Sequence, residues 1–313
     1  MNLTENLISF VIPTYKGSKN LSKLSKELLS IFKDYKIEIV IVNDCSPDET
    51  HEICKNLLKE HPDKITYIKL SKNFGEHNAV MAGLRNSEGD LVIIMDDDFQ
   101  NPPEEALKLA EYSLQNDYDV IFTKYSEKKD SFFRNVMSKI ANVTAEKILK
   151  KPKEIYFSSF KSIKRNLVNE IIKYEGPFPY IDGLILSVTQ NIGSLNVLHA
   201  ERKEGKSSYN LLKLARHYAN LATNFSTIPI HLFSAMGLII IVISFFFVIS
   251  VIIEKIVNPN VPQGFSELIT VILFFSGVQI LFLGVIGEYV GKILKNVNKE
   301  NQYIISYLKK KDK

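Results

Sequence analysis

"LVIIMDDDFQNPPEE", residues 91–105, carries an apolar run straight into three adjacent carboxylates and then a Pro-Pro pair. The run is short and rich in branched residues, the pattern of a buried strand that ends at a polar turn. A strand core cannot solvate three like charges. Asp96, Asp97 and Asp98 therefore either face water at a turn or surround a cation. Strand alternation would set Asp96 and Asp98 on one face and Asp97 on the other. Two carboxylates on one side, followed by Gln100, make an all-oxygen set that suits hard divalent ions such as Mg²⁺ or Mn²⁺.

The flanking sequence fixes the fold class as α/β. "LISFVIP", "IEIVIVND", "ITYIKL", "LVIIMD" and "YDVIFT" alternate with helical patterns such as "NLSKLSKELLSIF" and "PEEALKLAEYSLQ". Strands alternating with helices predict a mostly parallel sheet covered on both faces. In such sheets ligands bind beyond the carboxyl ends of the strands. "VNDCSPDET" and "MDDDFQ" both fall at such ends and are expected to face one crevice.

Composition bounds the rest. The chain has 313 residues, 45% of them hydrophobic, and a net charge of +4, which gives no bulk signal for nucleic-acid binding. Its two cysteines, Cys45 and Cys54, have neither a zinc-site nor a Cys-x-x-Cys spacing, so free thiols in a reducing compartment are expected. The first residues lack a basic segment followed by a long apolar run, so no secretory leader is expected.

Residues 230–253 and 268–290 are long apolar stretches, the second free of charge until Glu288. Each meets the roughly 20 residues a membrane span needs. Lysines cluster after the second stretch, which predicts that this end and the N-terminal domain are both cytoplasmic. The expected division is a cytoplasmic α/β domain over 1–207, an amphipathic interfacial helix over 208–229, a transmembrane hairpin over 230–291 and a basic tail over 292–313. A helix docked on the domain's own core is the alternative for 208–229.

In "VIPTYKG" (11–17), the Tyr15 ring can stack on a base, and the backbone around Pro13 and Thr14 can bond its edge. Asp44 in "VNDCSPDET" can accept from a base imide or from ribose hydroxyls, whereas Ser46-Pro47-Asp48 reads as a helix cap. "SKNFGEHNAVMAGLRNSEGD" (71–90) supplies Lys72 and Asn73, then Gly75 and a helix starting near Glu76. A cation beside a helix N-terminus suits a diphosphate, although a surface lysine next to a cap has the same appearance.

These four motifs, in this order and spacing, resemble GT-A type, family 2 glycosyltransferases. More narrowly they resemble the polyprenyl-phosphate glycosyltransferases of the dolichyl-phosphate mannose synthase group, whose metal motif reads Asp-x-Asp-x-Gln before Pro-Pro-Glu. The likeness continues through "ERKEGKSSY" into the apolar segments and "GVIGEYVGKI".

The resemblance implies a GT-A (Rossmann-like) catalytic domain and two transmembrane helices. Asp96, Asp98 and Gln100 fall at the metal positions, with Asp97 beside them at the nucleotide sugar. Asn43-Asp44 stands where the family carries an Asp-Asp pair for the base or ribose. Lys124, Arg134 and Ser138 fall where the acceptor phosphate is gripped, and Arg202 and Lys206 where a basic loop closes over the phosphates. Asp182, in "PFPYIDGLIL", departs from the dolichyl-type pattern and either touches the donor sugar in a catalytic role or caps a turn.

The expected activity is inverting transfer of one sugar from a nucleoside diphosphate sugar, UDP foremost, to polyprenyl phosphate. Undecaprenyl phosphate is the expected lipid, Mg²⁺ or Mn²⁺ the cofactor and the inner membrane the location. The enzyme would serve cell-envelope glycan synthesis, with homo-oligomers left open and no nucleic-acid partner. A processive polysaccharide synthase and a non-catalytic nucleotide-sugar-binding scaffold are the rival readings.

Overall fold

The computed structural model describes residues 5–125, 155–198, 264–298 and 300–312, with single positions between 235 and 257. The chain divides into two compact units, Met1–Tyr209 with Lys299–Lys313, and Asn210–Asn298.

The first unit is built on an eight-stranded sheet in the order β7-β5-β6-β4-β1-β2-β3-β8. Its strands are β1 (Ile8–Thr14), β2 (Ile37–Asn43), β3 (Ile65–Leu70), β4 (Leu91–Ile94), β5 (Val120–Tyr125), β6 (Lys161–Lys164), β7 (Ile192–Val197) and β8 (Ile305–Lys309). Its helices among the described residues are α1 (Leu21–Ile31), α2 (Thr50–Glu60), α3 (Glu76–Asn86), α4 (Pro103–Gln115), α5 (Arg165–Ile171) and α6 (Ile181–Val188). β4, β1, β2 and β3 run parallel, while β6 runs antiparallel to both β4 and β5.

Alternating side chains feed two cores. Phe10, Ile12, Ile39, Ile41 and Ile93 pack under α1, α2 and α4. Val11, Val40, Val42, Val92 and Ile94 pack under α3, α5 and α6. The central strands therefore lack a polar face, as expected for parallel strands covered on both sides.

Two sequence expectations are corrected. β4 ends at Ile94, so strand alternation does not extend into Asp96–Asp98, and the left-handed Phe99 (φ 60°) turns the chain there. The 292–313 segment is more than a charged tail, because β8 within it pairs antiparallel with β3. Its short run Ile304–Leu308 is masked in composition by the lysines around it.

In the second unit α7 (Phe265–Val297) is one helix of 33 residues. Its stretch Phe275–Val297 is long and apolar enough to cross a membrane by length and composition. The first expected span, 230–253, lies largely outside the described residues, and those of its positions that are described are helical. The expected interfacial helix over 208–229 lies wholly outside them.

Candidate active site

Three loops leave the carboxyl ends of β1, β2 and β4, and each holds a non-glycine residue at positive φ: Lys16 (64°), Cys45 (55°) and Phe99 (60°). Such strain persists only where the surroundings enforce it, and it concentrates at functional sites. The loops bond to one another. The Asp44 amide donates to Thr14 O at 3.0 Å, and the Lys16 amide donates to Ser46 Oγ at 3.0 Å.

Asn43 and Asp44 act as scaffold for this end of the sheet. The buried Asn43 accepts from the Ser46 amide at 2.8 Å and donates to the Tyr67 hydroxyl at 3.2 Å. Asp44 accepts the amides of Phe74 and Gly75 at 2.7 and 2.8 Å, one on each carboxylate oxygen. Burial raises the Asp44 carboxyl despite those two bonds. Asp44 thereby ties the end of β2 to the start of α3, where Gly75, at φ 91°, makes the turn that favours glycine. Asp48 accepts from the Thr50 amide at 3.3 Å and hydroxyl at 2.5 Å, next to the start of α2.

The carboxylates past β4 diverge. Asp96 Oδ2 accepts from Ser159 Oγ at 2.6 Å, and Asp98 Oδ1 accepts the Gln100 amide at 3.1 Å. Asp97 turns to the other side and accepts from the Thr14 hydroxyl. Gly17 makes room for that contact, since a Cβ there would lie 2.1 Å from both Asp97 Oδ2 and Thr14 Oγ1. Burial pushes the Asp97 carboxyl up to about 6, the Thr14 bond opposes it, and the charges of Asp96 and Asp98 add to it.

Glu76, the first residue of α3, is solvent-exposed. The protein around the crevice and the charges of Asp96, Asp182 and Asp98 nonetheless push its carboxyl up to about 7, with Lys161 pulling the other way. Four carboxylates so influence one another at this end of the sheet that added positive charge would be stabilising.

Among the described residues, no three His, Cys, Asp or Glu side chains converge to cage a metal. Asp96 and Asp98 would offer two carboxylates. That fits an ion taking its remaining ligands from a diphosphate and water, as Mg²⁺ commonly does. Tyr15 is 48% exposed beside the crevice, and Pro13 and Thr14 are buried. Lys72 and Asn73 are exposed, with the Lys72 ammonium 5.0 Å from the Phe74 ring centroid. Lys124 is exposed on β5, in register with Asn196 of β7. Arg134, Ser138, Arg202 and Lys206 lie outside the described residues.

Asp182, in the first turn of α6, is buried and ion-paired with Lys161. Lys161 and Glu76 were not singled out from the sequence as site residues. For Lys161 the only available signal was a lysine inside the short apolar pattern that became β6.

The chain is similar to known proteins in sequence and in fold. Residues 9–172 match the family described as Glycosyl transferase family 2. An undecaprenyl-phosphate 4-deoxy-4-formamido-L-arabinose transferase of Edwardsiella ictaluri (strain 93-146) is 32% identical over 96% of this chain and 94% of its own length. The protein of the same description from Aeromonas hydrophila is 31% identical over 97% and 95%. Among solved structures, glucosyl-3-phosphoglycerate synthase of Mycobacterium tuberculosis, in complex with Mn²⁺, UDP and glucosyl-3-phosphoglycerate, shares the fold. It has a TM-score of 0.51 at 14% identity and covers 70% of this chain and 78% of its own. With the family match spanning more than half its length and a relative above 30% identity along nearly all of it, the chain belongs to glycosyltransferase family 2.

Proposed function

We propose that the protein moves one sugar from a nucleoside diphosphate donor, UDP foremost, to undecaprenyl phosphate at the cytoplasmic face of a membrane. The sugar to test first is 4-deoxy-4-formamido-L-arabinose. The observation that carries this reading is kinship along the whole chain: the relatives named for that transfer align over 96–97% of it, apolar C-terminal segments included.

In this reading the exposed Tyr15 ring stacks on the base, with Pro13 and Thr14 offering backbone to its edge. The loop built by Asn43 and Asp44 shapes the nucleoside end, and Lys72, Asn73 and the N-terminus of α3 face the diphosphate. A divalent ion, Mg²⁺ or Mn²⁺, would be held by Asp96, Asp98 and Gln100 and would neutralise the leaving diphosphate. The acceptor needs no base. A phosphate oxygen that is already anionic attacks the anomeric carbon as the bond from that carbon to the diphosphate oxygen breaks, which inverts the centre. The remaining work is to hold the two anions in line, which is the part assigned to Lys124, Arg134, Ser138, Arg202 and Lys206.

The return of the chain to its own sheet constrains the topology of membrane attachment. The chain leaves the sheet unit after Tyr209 and rejoins it at Lys299, with β8 paired to β3. Any membrane segment between those points must cross an even number of times, which favours a hairpin with both ends on one side, and the lysines after the second stretch favour the cytoplasmic one. Calorimetry on detergent-purified protein with Mn²⁺ tests the donor end. UDP should bind at least about tenfold tighter than GDP or dTDP, and EDTA should weaken it strongly. Equal affinity for all three nucleotides would overturn the choice of donor.

A further inference from the structure

The Lys161–Asp182 pair is not used by the metal and diphosphate reading. Its ammonium and carboxylate meet through Nζ and Oδ1, with side chains only 5% and 9% exposed. Withdrawing two charges from water costs more than their attraction returns unless geometry is good or the pair has another task. The ammonium is pinned on its second side by the Phe122 ring, 5.0 Å from its centroid.

Lys161 is the only hydrogen-bond partner of the Asp182 carboxylate among the described residues. A carboxylate offers about four acceptor directions, so Oδ2 keeps open lone pairs.

The pair borders the crevice. Ser159, two residues before Lys161, donates to Asp96 at 2.6 Å. Tyr180, two residues before Asp182, sets its ring edge-on to His77 of α3 with centroids 5.1 Å apart. The charges of Lys161, Asp182 and Asp96 are all felt at Glu76.

We propose that Lys161 and Asp182 form the donor-sugar subsite, in which Asp182 Oδ2 accepts a hydrogen bond from a sugar hydroxyl or amide N–H. Lys161 is the positioning residue that fixes the direction of that carboxylate. The assignment rests on the glycosyltransferase reading above. A sugar carries O–H or N–H donors and no net charge, and a desolvated anionic acceptor selects such donors strongly. A site built to bond a substrate donor also rejects analogues that lack it.

The test compares UDP, UDP-4-deoxy-4-formamido-L-arabinose and UDP-L-arabinose on full-length protein. Asp182→Asn should raise the KM for the sugar nucleotides by about tenfold to a hundredfold while the Kd for UDP stays within about twofold. A penalty shared by both sugars indicates a hydroxyl contact, and one confined to the formamido sugar indicates its amide. Lys161→Arg should recover most of the donor affinity that Lys161→Met loses.

Lys161→Met leaves a buried carboxylate unpaired, so the combined Lys161→Met and Asp182→Leu change serves as the folded control and should show the same KM rise. Wild-type KM in Asp182→Asn, or equal losses for UDP and sugar nucleotides, overturns the subsite alone. Wild-type protein that transfers from no sugar nucleotide overturns the parent reading as well.

Discussion

Asp97 shows how single residues carry the site's electrostatics. Its carboxyl, pushed up to about 6 by burial, binds its proton more tightly in the folded chain than in the unfolded one, where 3.8 is ordinary. Between those two values this carboxyl holds more protons in the native state than in the unfolded one, so its contribution to stability falls as pH rises from about 4 to 6. Metal-free protein carrying Asp97→Asn should lack that contribution and gain on the order of 3 kcal/mol at pH 7. Thermal melts of both proteins across that range check it, and an unchanged slope would refute the account of Asp97. Asp98→Asn acts differently. It removes an oxygen from the proposed metal set, so turnover should drop roughly a hundredfold or more while the melting temperature holds or rises. Full activity in Asp98→Asn, or in EDTA, would exclude the metal assignment.

At the scale of elements, β8 explains what the C-terminal segment does. It adds an edge strand to β3, and Lys311 beyond it reaches the fully buried Glu38 of β2 at 2.8 Å. Burial would raise the Glu38 carboxyl, but Lys311, the Ser9 hydroxyl and the Glu88 amide outweigh it and hold it below its usual value. That contribution is full above the unfolded carboxyl's range and is lost as pH falls through the folded value. Lys311→Met should cost about 3–5 kcal/mol at pH 7, because it leaves a buried charge without its partner. The difference from wild type should shrink below pH 4 in denaturant titrations; a neutral substitution would show that β8 is held by its backbone alone.

The same scale shows what could be read in the sequence. The parallel core was legible because β1, β2, β3 and β4 are uninterrupted apolar runs with polar ends, and Gly75 marked the start of α3. β6 and β8 were not legible, because lysines interrupt their short patterns and their pairing is long-range. In the site, Asp96 and Asp98 stood out as charges at a strand end. The scaffold use of Asn43 and Asp44 and the pairing of Asp182 with Lys161 depend on neighbours about 20 to 30 residues away, which no local pattern encodes.

For the whole molecule, the return of the chain into its sheet makes topology testable without knowing the substrate. A cysteine at Asn260 should react with an impermeant reagent added to intact cells, whereas one at the exposed Lys310 should react only after lysis. Labelling at Lys310 from outside would set the sheet unit in the wrong compartment for a cytoplasmic nucleotide sugar. The central claim is one sugar moved onto one lipid phosphate. Mass spectrometry of the organic-phase product tests it most directly, using purified full-length protein with Mn²⁺, UDP-4-deoxy-4-formamido-L-arabinose and undecaprenyl phosphate. The account predicts a single product carrying one sugar with inverted anomeric configuration and one UDP released per product. Chains of several sugars, or UDP released with no lipid product, would contradict it.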